Sequence, residues 1–192
     1  SGDPSWHKTT SYAIRSGSAK TSISTDDGRV QITGFHVGGE LLGLSALASR
    51  IYTSEARALE TMSVCKVEIN RLEEISREIP AIQYQMMRIM SEQIRRNEEL
   101  MLLLGKRSAE ERIAEFLIGL SRRFVSRNYS GTQFRLSMSR LDIGNYLGMA
   151  EETVCRIFSR FQESGLITTD RRDVRLNDLV RLSAVARVDL AA

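Results

Sequence analysis

The chain has 192 residues, of which 42% are hydrophobic and 27% are charged, and its formal net charge at pH 7 is +3. This length provides for one large domain or two small domains, and the composition is typical of a globular protein. No apolar run approaches the roughly 20 residues that a membrane-spanning helix needs, which excludes such a helix.

The cysteines and the first residues of the chain help to predict the cellular compartment of the protein. Cys65 and Cys155 are far apart and lack the spacing of a CxxC pair, which argues against a disulfide framework. No signal peptide is visible, so we expect a cytoplasmic protein. Because the chain starts with Ser1 instead of Met, we also expect its natural N-terminus to lie further upstream.

Residues 1–76 are predicted to form a β domain. Short β-prone runs occur at 12–14, 20–25, 30–37 and 64–69. Turn residues separate these runs, and Asp27-Gly28 is a strong hairpin signal. Several short strands at this spacing predict a sandwich or jelly roll. Because the chain opens within this pattern, we expect the first strands to be absent and the β-roll to be partial.

Residues 77–107 are predicted to form a long helix. Pro80 suits its first turn, and no glycine interrupts the segment before Gly105. A shorter helix, capped by Asn70, is predicted to precede it and to run through Arg77. Six residues recur along the long helix at alternating spacings of three and four: Met87, Met90, Ile94, Asn97, Met101 and Leu104.

This stripe, which we call the seam, extends over about two and a half heptads and predicts pairing with the same helix of a second subunit. The alternative is a helix that is buried entirely within one chain. Asn97 favours pairing, because two asparagine side chains can hydrogen-bond across a two-fold axis and fix the register. An aspartate at the same position would repel its twin.

Residues 108–192 are predicted to form a separate domain. Ser108 and Glu111 have the spacing of a capping box that begins a helix. A short strand is predicted at 134–136. Two strands, at 166–169 and 173–176, flank a charged turn at 170–172 and predict the hairpin that forms the wing of a winged helix.

Residues 139–167, which follow the strand predicted at 134–136, have the pattern of a helix-turn-helix. Gly144 permits close approach of a second helix, and Gly148 can take the left-handed conformation that ends the first. The second helix has one apolar face, and its other face carries side chains suited to a major groove: Glu152, Cys155, Arg156 and Ser159. The alternative is an ordinary helical hairpin with a solvated polar face.

Several arginines of the same domain are candidate phosphate contacts, the alternative for each being a solvated surface arginine: Arg140, Arg160, Arg171, Arg172 and Arg175. Arg156 can pair bidentately with guanine, and Glu152 can accept from a cytosine amino group. A carboxylate repels phosphate, so Glu152 indicates base reading instead of general attraction to DNA.

The order of these parts resembles the CRP/FNR family of bacterial transcription regulators, and in particular its FNR-like branch. The matching segments are YAIRSG at 12–17, QITGFH at 31–36, LET at 59–61, AEER at 109–112, LSRRF at 120–124 and DIGNYLG at 142–148. The resemblance covers essentially the whole chain. It implies an α+β fold with a β-roll sensor domain, a dimerisation helix and a C-terminal winged helix-turn-helix.

The resemblance also implies how DNA is read. Glu152 and Arg156 match the two base-reading side chains of the family, whereas Cys155 stands where the branch usually has serine. The implied target is double-stranded DNA with a TTGAT-like half-site, repeated as an inverted pair and bound by a homodimer. Two-fold symmetry places the half-sites about 10 base pairs apart.

For sensing, the resemblance implies a role for Cys65. It matches the internal cysteine that, with three N-terminal cysteines, holds an oxygen-labile [4Fe–4S] cluster in FNR-like proteins. Such a cluster needs four thiolate ligands, and we expect the other three upstream of the present chain. The alternatives are a small buried cysteine, a cluster-free regulator, or a haem sensor of nitric oxide that uses His7 or His36.

Two other functions are disfavoured. Gly39-Glu40 resembles part of a cyclic-AMP-binding cassette, but Glu55 lies where that cassette needs to attract phosphate. No nucleophile–base pair, metal-spaced cluster or phosphate-binding glycine loop indicates an enzyme.

The resemblance further implies that the β-roll loop at 26–28 and the segment 125–133 contact RNA polymerase.

Overall fold

The computed structural model describes residues 10–188, which fall into two compact units divided between Glu99 and Leu100. The first unit contains six of the strands and the second contains a helical domain with a small sheet, so the predicted α+β class is confirmed. No helix within residues 10–188 is both long enough and apolar enough to cross a membrane.

The first unit is built on two three-stranded antiparallel sheets. Its strands are β1 (Thr10–Ser16), β2 (Ser18–Ser24), β3 (Val30–Val37), β4 (Leu41–Leu42), β5 (Glu55–Ala58) and β6 (Ser63–Glu68). One sheet has the order β4-β1-β6 and the other the order β3-β2-β5. The four runs that the sequence predicted as strands lie in β1, β2, β3 and β6, whereas β4 and β5 were not predicted.

Two glycines allow the chain to turn between these strands. Gly17 carries the chain from one sheet to the other with φ of +81°, and a Cβ there would lie 2.5 Å from the Thr61 carbonyl oxygen. Gly28, with φ of +83°, lies in the β2–β3 hairpin, which is closed by a bond from its N–H to the Thr25 carbonyl. The predicted Asp27-Gly28 hairpin is therefore confirmed.

The first unit also contains helices α1 (Ala46–Ser49) and α2 (Ile69–Glu78), and helix α3 (Pro80–Lys106) begins in it. Pro80 begins the long helix, as predicted. The predicted cap at Asn70 is wrong, because α2 begins one residue earlier and Glu68 holds the cap position without a side-chain bond. Ile69 is completely buried, so packing of this residue fixes the first turn in place of a capping side chain.

Besides the end of α3, the second unit contains four helices and a three-stranded sheet among its described residues. They are α4 (Ala109–Val125), β7 (Gln133–Arg135), α5 (Arg140–Leu147), α6 (Glu151–Glu163), β8 (Ile167–Asp170), β9 (Asp173–Leu176) and α7 (Leu179–Ala186). The sheet has the order β7-β9-β8, and β8 and β9 form the predicted wing hairpin. The capping box of Ser108 and Glu111 is present at the start of α4.

Candidate nucleic-acid interface

Helix α5 has a defined beginning and end. Ser139 and Asp142 form a capping box in which each main-chain N–H is bound by the other residue's side chain, at 3.1 and 3.0 Å. The Ser-x-x-Asp spacing that signals this box is visible in the sequence but was not used in the prediction. Helix α5 ends at Leu147, and its C-cap Gly148 has the predicted left-handed conformation, with φ of 64°.

Gly144 lies where the turn folds back over α5. A Cβ at this position would lie 2.6 Å from the Met149 carbonyl oxygen and 3.5 Å from the main chain at Ala150 and Glu151. Any larger side chain would collide with the main chain of the turn. The prediction that Gly144 permits close approach is confirmed, and this approach fixes where α6 begins.

Helix α6 separates its side chains into two faces. The buried face consists of Val154, Ile157, Phe158 and Phe161. The exposed face carries all four predicted DNA-reading side chains: Glu152, Cys155, Arg156 and Ser159. Their placement on one accessible face of the second helix of a helix-turn-helix is the geometry that reading of a major groove requires.

The exposed face is only lightly bonded within the chain. Arg156 Nη2 donates a long bond of 3.4 Å to the Thr153 hydroxyl, and the Ser159 hydroxyl donates to the Cys155 carbonyl at 3.2 Å. The Cys155 thiol is free and exposed. Because such bonds are weak or easily exchanged, these side chains remain available to partners outside the chain.

Arg140 and Arg160, both predicted to contact phosphate, are held by neighbouring side chains. The Arg140 guanidinium lies 3.6 Å above the centre of the Phe158 ring, which joins α5 to α6. Burial lowers the pKa of Arg140, and the nearby Cys155 sulfur partly offsets this effect. Arg160 forms an ion pair with Glu110 of α4 and is otherwise exposed.

The wing is attached to α6. The Gln162 side-chain oxygen accepts bonds from the main-chain N–H and the hydroxyl of Thr169 in β8, at 3.0 and 2.7 Å. Arg171 at the wing tip has a φ of 52°, and Arg172 Nη1 donates to the Ser137 carbonyl at 3.2 Å. Arg175 is exposed on the central strand β9.

The seam of α3 exposes large apolar side chains. Met87, Ile94 and Met101 are 50%, 59% and 73% exposed, and Met90 is also accessible. Leu104 is half-buried, and Asn97 is exposed. The Gln93 amide donates to the Asn97 side-chain oxygen at 3.0 Å. A row of accessible methionine and isoleucine side chains is typical of a surface that binds a partner.

The candidate sensor residues lie in the first unit. Cys65 is a free, exposed thiol on β6, opposite Ala13 of β1. Within residues 10–188, no three His, Cys, Asp or Glu side chains are grouped so that they could hold a metal ion. The described part of the chain therefore fits a four-thiolate cluster only as the donor of one ligand.

His36 is occupied by neighbours within the chain, and His7 lies outside the described residues. His36 Nε2 lies 3.0 Å from the Thr21 hydroxyl, and its Nδ1 lies 3.5 Å from a carboxylate oxygen of Glu40. Glu40 is buried, and its other oxygen lies 3.5 Å from Arg96 Nη1. These contacts support a structural role for His36 and commit Glu40 to an ion pair.

Comparison with known proteins gives matches over both units. The model of the Crp-like helix-turn-helix domain matches residues 111–185, and the model of the cyclic nucleotide-binding domain matches residues 6–78. The transcriptional activator protein Anr of Pseudomonas aeruginosa is 51% identical over 175 residues, which are 91% of this chain and 72% of that protein.

Two further proteins also match most of the chain. The fumarate and nitrate reduction regulatory protein of Escherichia coli is 44% identical over 175 residues, which are 91% of this chain and 70% of that protein. Among solved structures, FixK2 from Bradyrhizobium japonicum matches with a TM-score of 0.80 and 30% identity, over 92% of this chain and 87% of that chain.

Proposed function

The chain belongs to the CRP/FNR family of transcription regulators and is similar to its FNR and Anr members, and from this premise we propose its specific function. The protein is cytoplasmic, and it binds double-stranded DNA as a homodimer. Its target is an inverted repeat of a TTGAT-like half-site. Oxygen controls this binding through a [4Fe–4S] cluster for which Cys65 supplies one ligand.

The exposed face of α6 is the observation that carries the DNA-binding proposal. Arg156 presents two parallel N–H donors, which match the two acceptors of guanine in the major groove. Glu152 presents an acceptor for a cytosine amino group. Both side chains are exposed, while the opposite face of α6 is buried in the domain and holds the helix in place.

Substitution of Arg156 tests this proposal. We expect Arg156→Ala to weaken binding by about 1–3 kcal/mol and to relax the preference for guanine at one position of each half-site. The measurement is fluorescence anisotropy with duplexes that carry each of the four base pairs at that position. Arg175→Ala, which removes a predicted phosphate contact, is the matched control and should weaken binding equally on all sequences.

The two substitutions distinguish base reading from attraction to the backbone. If Arg156→Ala weakened binding uniformly on all four duplexes, Arg156 would be a phosphate contact and the assignment of base reading would be wrong. If the unsubstituted protein bound the inverted repeat no better than random DNA of equal length, the proposed half-site would be wrong.

The seam of α3 supports the homodimer. Its side chains expose apolar surface on one stripe of a helix, and the heptad spacing matches that of two helices that pack with knobs into holes. In such a dimer, the two α6 helices enter successive major grooves on one side of the DNA.

Control by oxygen is proposed from the family and from Cys65. When bound, the cluster would make the protein sensitive to oxygen, because oxygen breaks the cluster down. Cys65 would contribute an accessible thiolate from β6. The 192 residues contain only one other cysteine, Cys155, which lies in the DNA-reading helix. The proposal therefore requires three further cysteine ligands in a longer form of the protein.

Anaerobic absorption and iron analysis of that longer form test this part. We expect a broad band near ~400 nm that bleaches in air, and a loss of iron and sulfide in Cys65→Ala. Cys155→Ala is the matched control and should retain both. Unchanged iron in Cys65→Ala would exclude Cys65 as a ligand, and a sharp Soret band would support a haem sensor instead.

Contact with RNA polymerase is proposed for two exposed loops. The segment 125–133 runs from the last residue of α4 to the first residue of β7 and presents Val125 and Tyr129, which are 57% and 67% exposed. The hairpin tip at 26–28 presents charged residues on the first unit. Accessible aromatic and charged side chains of this kind are enriched where proteins bind other proteins.

A further inference from the structure

Arg112 of α4 binds the main chain of two other helices. Its Nη2 donates to the Leu104 carbonyl at 2.8 Å, and its Nε donates to the Arg107 carbonyl at 3.0 Å. Its Nη1 donates to the Leu147 carbonyl at 2.9 Å and, with a longer bond of 3.4 Å, to the Gly148 carbonyl. All four acceptors are main-chain oxygens.

These acceptors lie where two helices end. Leu104 is in the last turn of α3, Leu147 is the last residue of α5, and Gly148 is its C-cap. Carbonyls at helix C-termini lack partners within the helix and carry partial negative charge. A guanidinium satisfies both ends at once because its donors point in several fixed directions from one plane, which a lysine ammonium cannot do.

The position of these two helix ends gives Arg112 its significance. Leu104 is the last residue of the seam, and Gly148 precedes by two residues the N-cap of α6, Ala150. Leu104, Arg112 and Gly148 also lie close together. A Cβ added to Gly148 would lie 3.5 Å from Leu104 Cδ2 and 3.7 Å from Arg112 Nη1. A short, bonded path therefore runs from the seam to the start of the DNA-reading helix.

We propose that Arg112 is a positioning residue that couples pairing of the seam to the placement of α6. When the last turn of α3 is fixed against its twin, the guanidinium holds the turn between α5 and α6 in the orientation that suits both half-sites. The inference rests on the proposed function of dimeric DNA binding, and it assigns the coupling to one side chain that donates to four main-chain carbonyls of its own chain.

The test compares Arg112→Lys and Arg112→Gln with the unsubstituted protein, each in the longer form that carries all four cluster ligands and each kept anaerobic. Affinity is measured by fluorescence anisotropy on a duplex with the inverted repeat and on a duplex with a single half-site. Dimerisation without DNA is measured by sedimentation equilibrium. We expect both variants to dimerise and to bind the single half-site normally, but to lose about tenfold in affinity for the inverted repeat, a typical coupling between two sites.

Arg107→Lys is the matched control. Arg107 neighbours Arg112 in the chain, but its guanidinium lies 3.9–4.0 Å from the carboxylates of Glu111 and Glu115, a contact that an ammonium can also make. We expect this variant to bind both duplexes normally. Circular dichroism melting curves of all variants show whether each is folded.

The outcomes separate this inference from the proposed function. If both Arg112 variants bound the inverted repeat as tightly as the unsubstituted chain, or lost half-site binding or the folded state in parallel, the coupling role would be wrong. If the unsubstituted chain itself showed no preference for the inverted repeat over the single half-site, the proposed function would fail first.

Discussion

Cys155 lies on the exposed face of α6, one position before Arg156 and three after Glu152. Its thiol is free, while its own carbonyl accepts the hydroxyl bond of Ser159. A thiol is a weaker hydrogen-bond donor than a hydroxyl and has more apolar character. At this position it suits the methyl group of a thymine better than a polar base edge.

Substitution of Cys155 by serine tests this contact. We expect Cys155→Ser to bind a TTGAT-like site about 2- to 10-fold more tightly, because a hydroxyl adds a net hydrogen bond of about 0.5–1.5 kcal/mol. We also expect replacement of the contacted thymine by uracil, which lacks the methyl group, to weaken the unsubstituted protein more than the variant. Cys65→Ser is the control, and equal uracil effects in all three proteins would contradict a methyl contact.

The residues of α6 could be predicted because periodicity alone separates a buried from an exposed face. The surroundings of individual arginines could not. Arg140 remains a predicted phosphate contact, and the sequence did not indicate that its guanidinium is stacked on Phe158. Arg160 also remains a predicted phosphate contact, and its ion pair with Glu110 of another helix was likewise not indicated. Such contacts join residues that are distant in the chain, so spacing carries no signal of them.

At the scale of elements, α4 shows how local chemistry fixes a boundary. The Ser108 main-chain N–H donates to the Glu111 carboxylate at 2.6 Å, and the Glu111 N–H donates to the Ser108 hydroxyl at 3.3 Å. Arg187 Nε lies 2.8 Å from the same carboxylate. The bond from the Ser108 N–H is the main cause that lowers the pKa of Glu111 from its ordinary value of 4.5, and Arg187 also lowers it.

This lowered pKa makes the stability of α4 depend on pH. A depressed carboxyl pKa stabilises the folded state above the ordinary value of 4.5, and this stabilisation is lost as the pH falls through the lowered value. We expect Glu111→Gln to lower the melting temperature at pH 7 and to reduce the loss of stability on acidification. Glu98→Gln, on the exposed surface of α3, is the control and should leave the acid profile unchanged. An unchanged profile in Glu111→Gln would contradict the assignment.

Elements with their own signals were predicted, and elements that depend on distant partners were not. The box at Ser108, the turn at Gly148 and the wing hairpin each follow from a few neighbouring residues. In contrast, β4 has only two residues, and all of β5 is exposed, so neither shows an alternating pattern. Their strand conformation comes from pairing with β1 and β2.

At the scale of the whole molecule, the proposed function depends on a second subunit that meets the seam of α3. A single chain exposes this stripe, and the Gln93 amide satisfies the Asn97 side-chain oxygen within the helix. Asn97 is an exposed residue of the seam, and its side chain also carries two amide N–H donors. In a symmetric pair they can reach the same residue of the twin helix, which makes Asn97 a position where dimer strength is set.

Replacement of Asn97 by aspartate separates effects between subunits from effects within one chain. The carboxylate can still accept the Gln93 bond, so the melting temperature of the monomer should change little. Two carboxylates facing each other across the two-fold axis repel, and we expect the dimer dissociation constant to rise about tenfold at low ionic strength and less at high salt. Sedimentation equilibrium measures this constant. Gln85→Glu, which adds the same charge to α3 away from the seam, is the control, and an equal effect of both substitutions would place the dimer contact elsewhere.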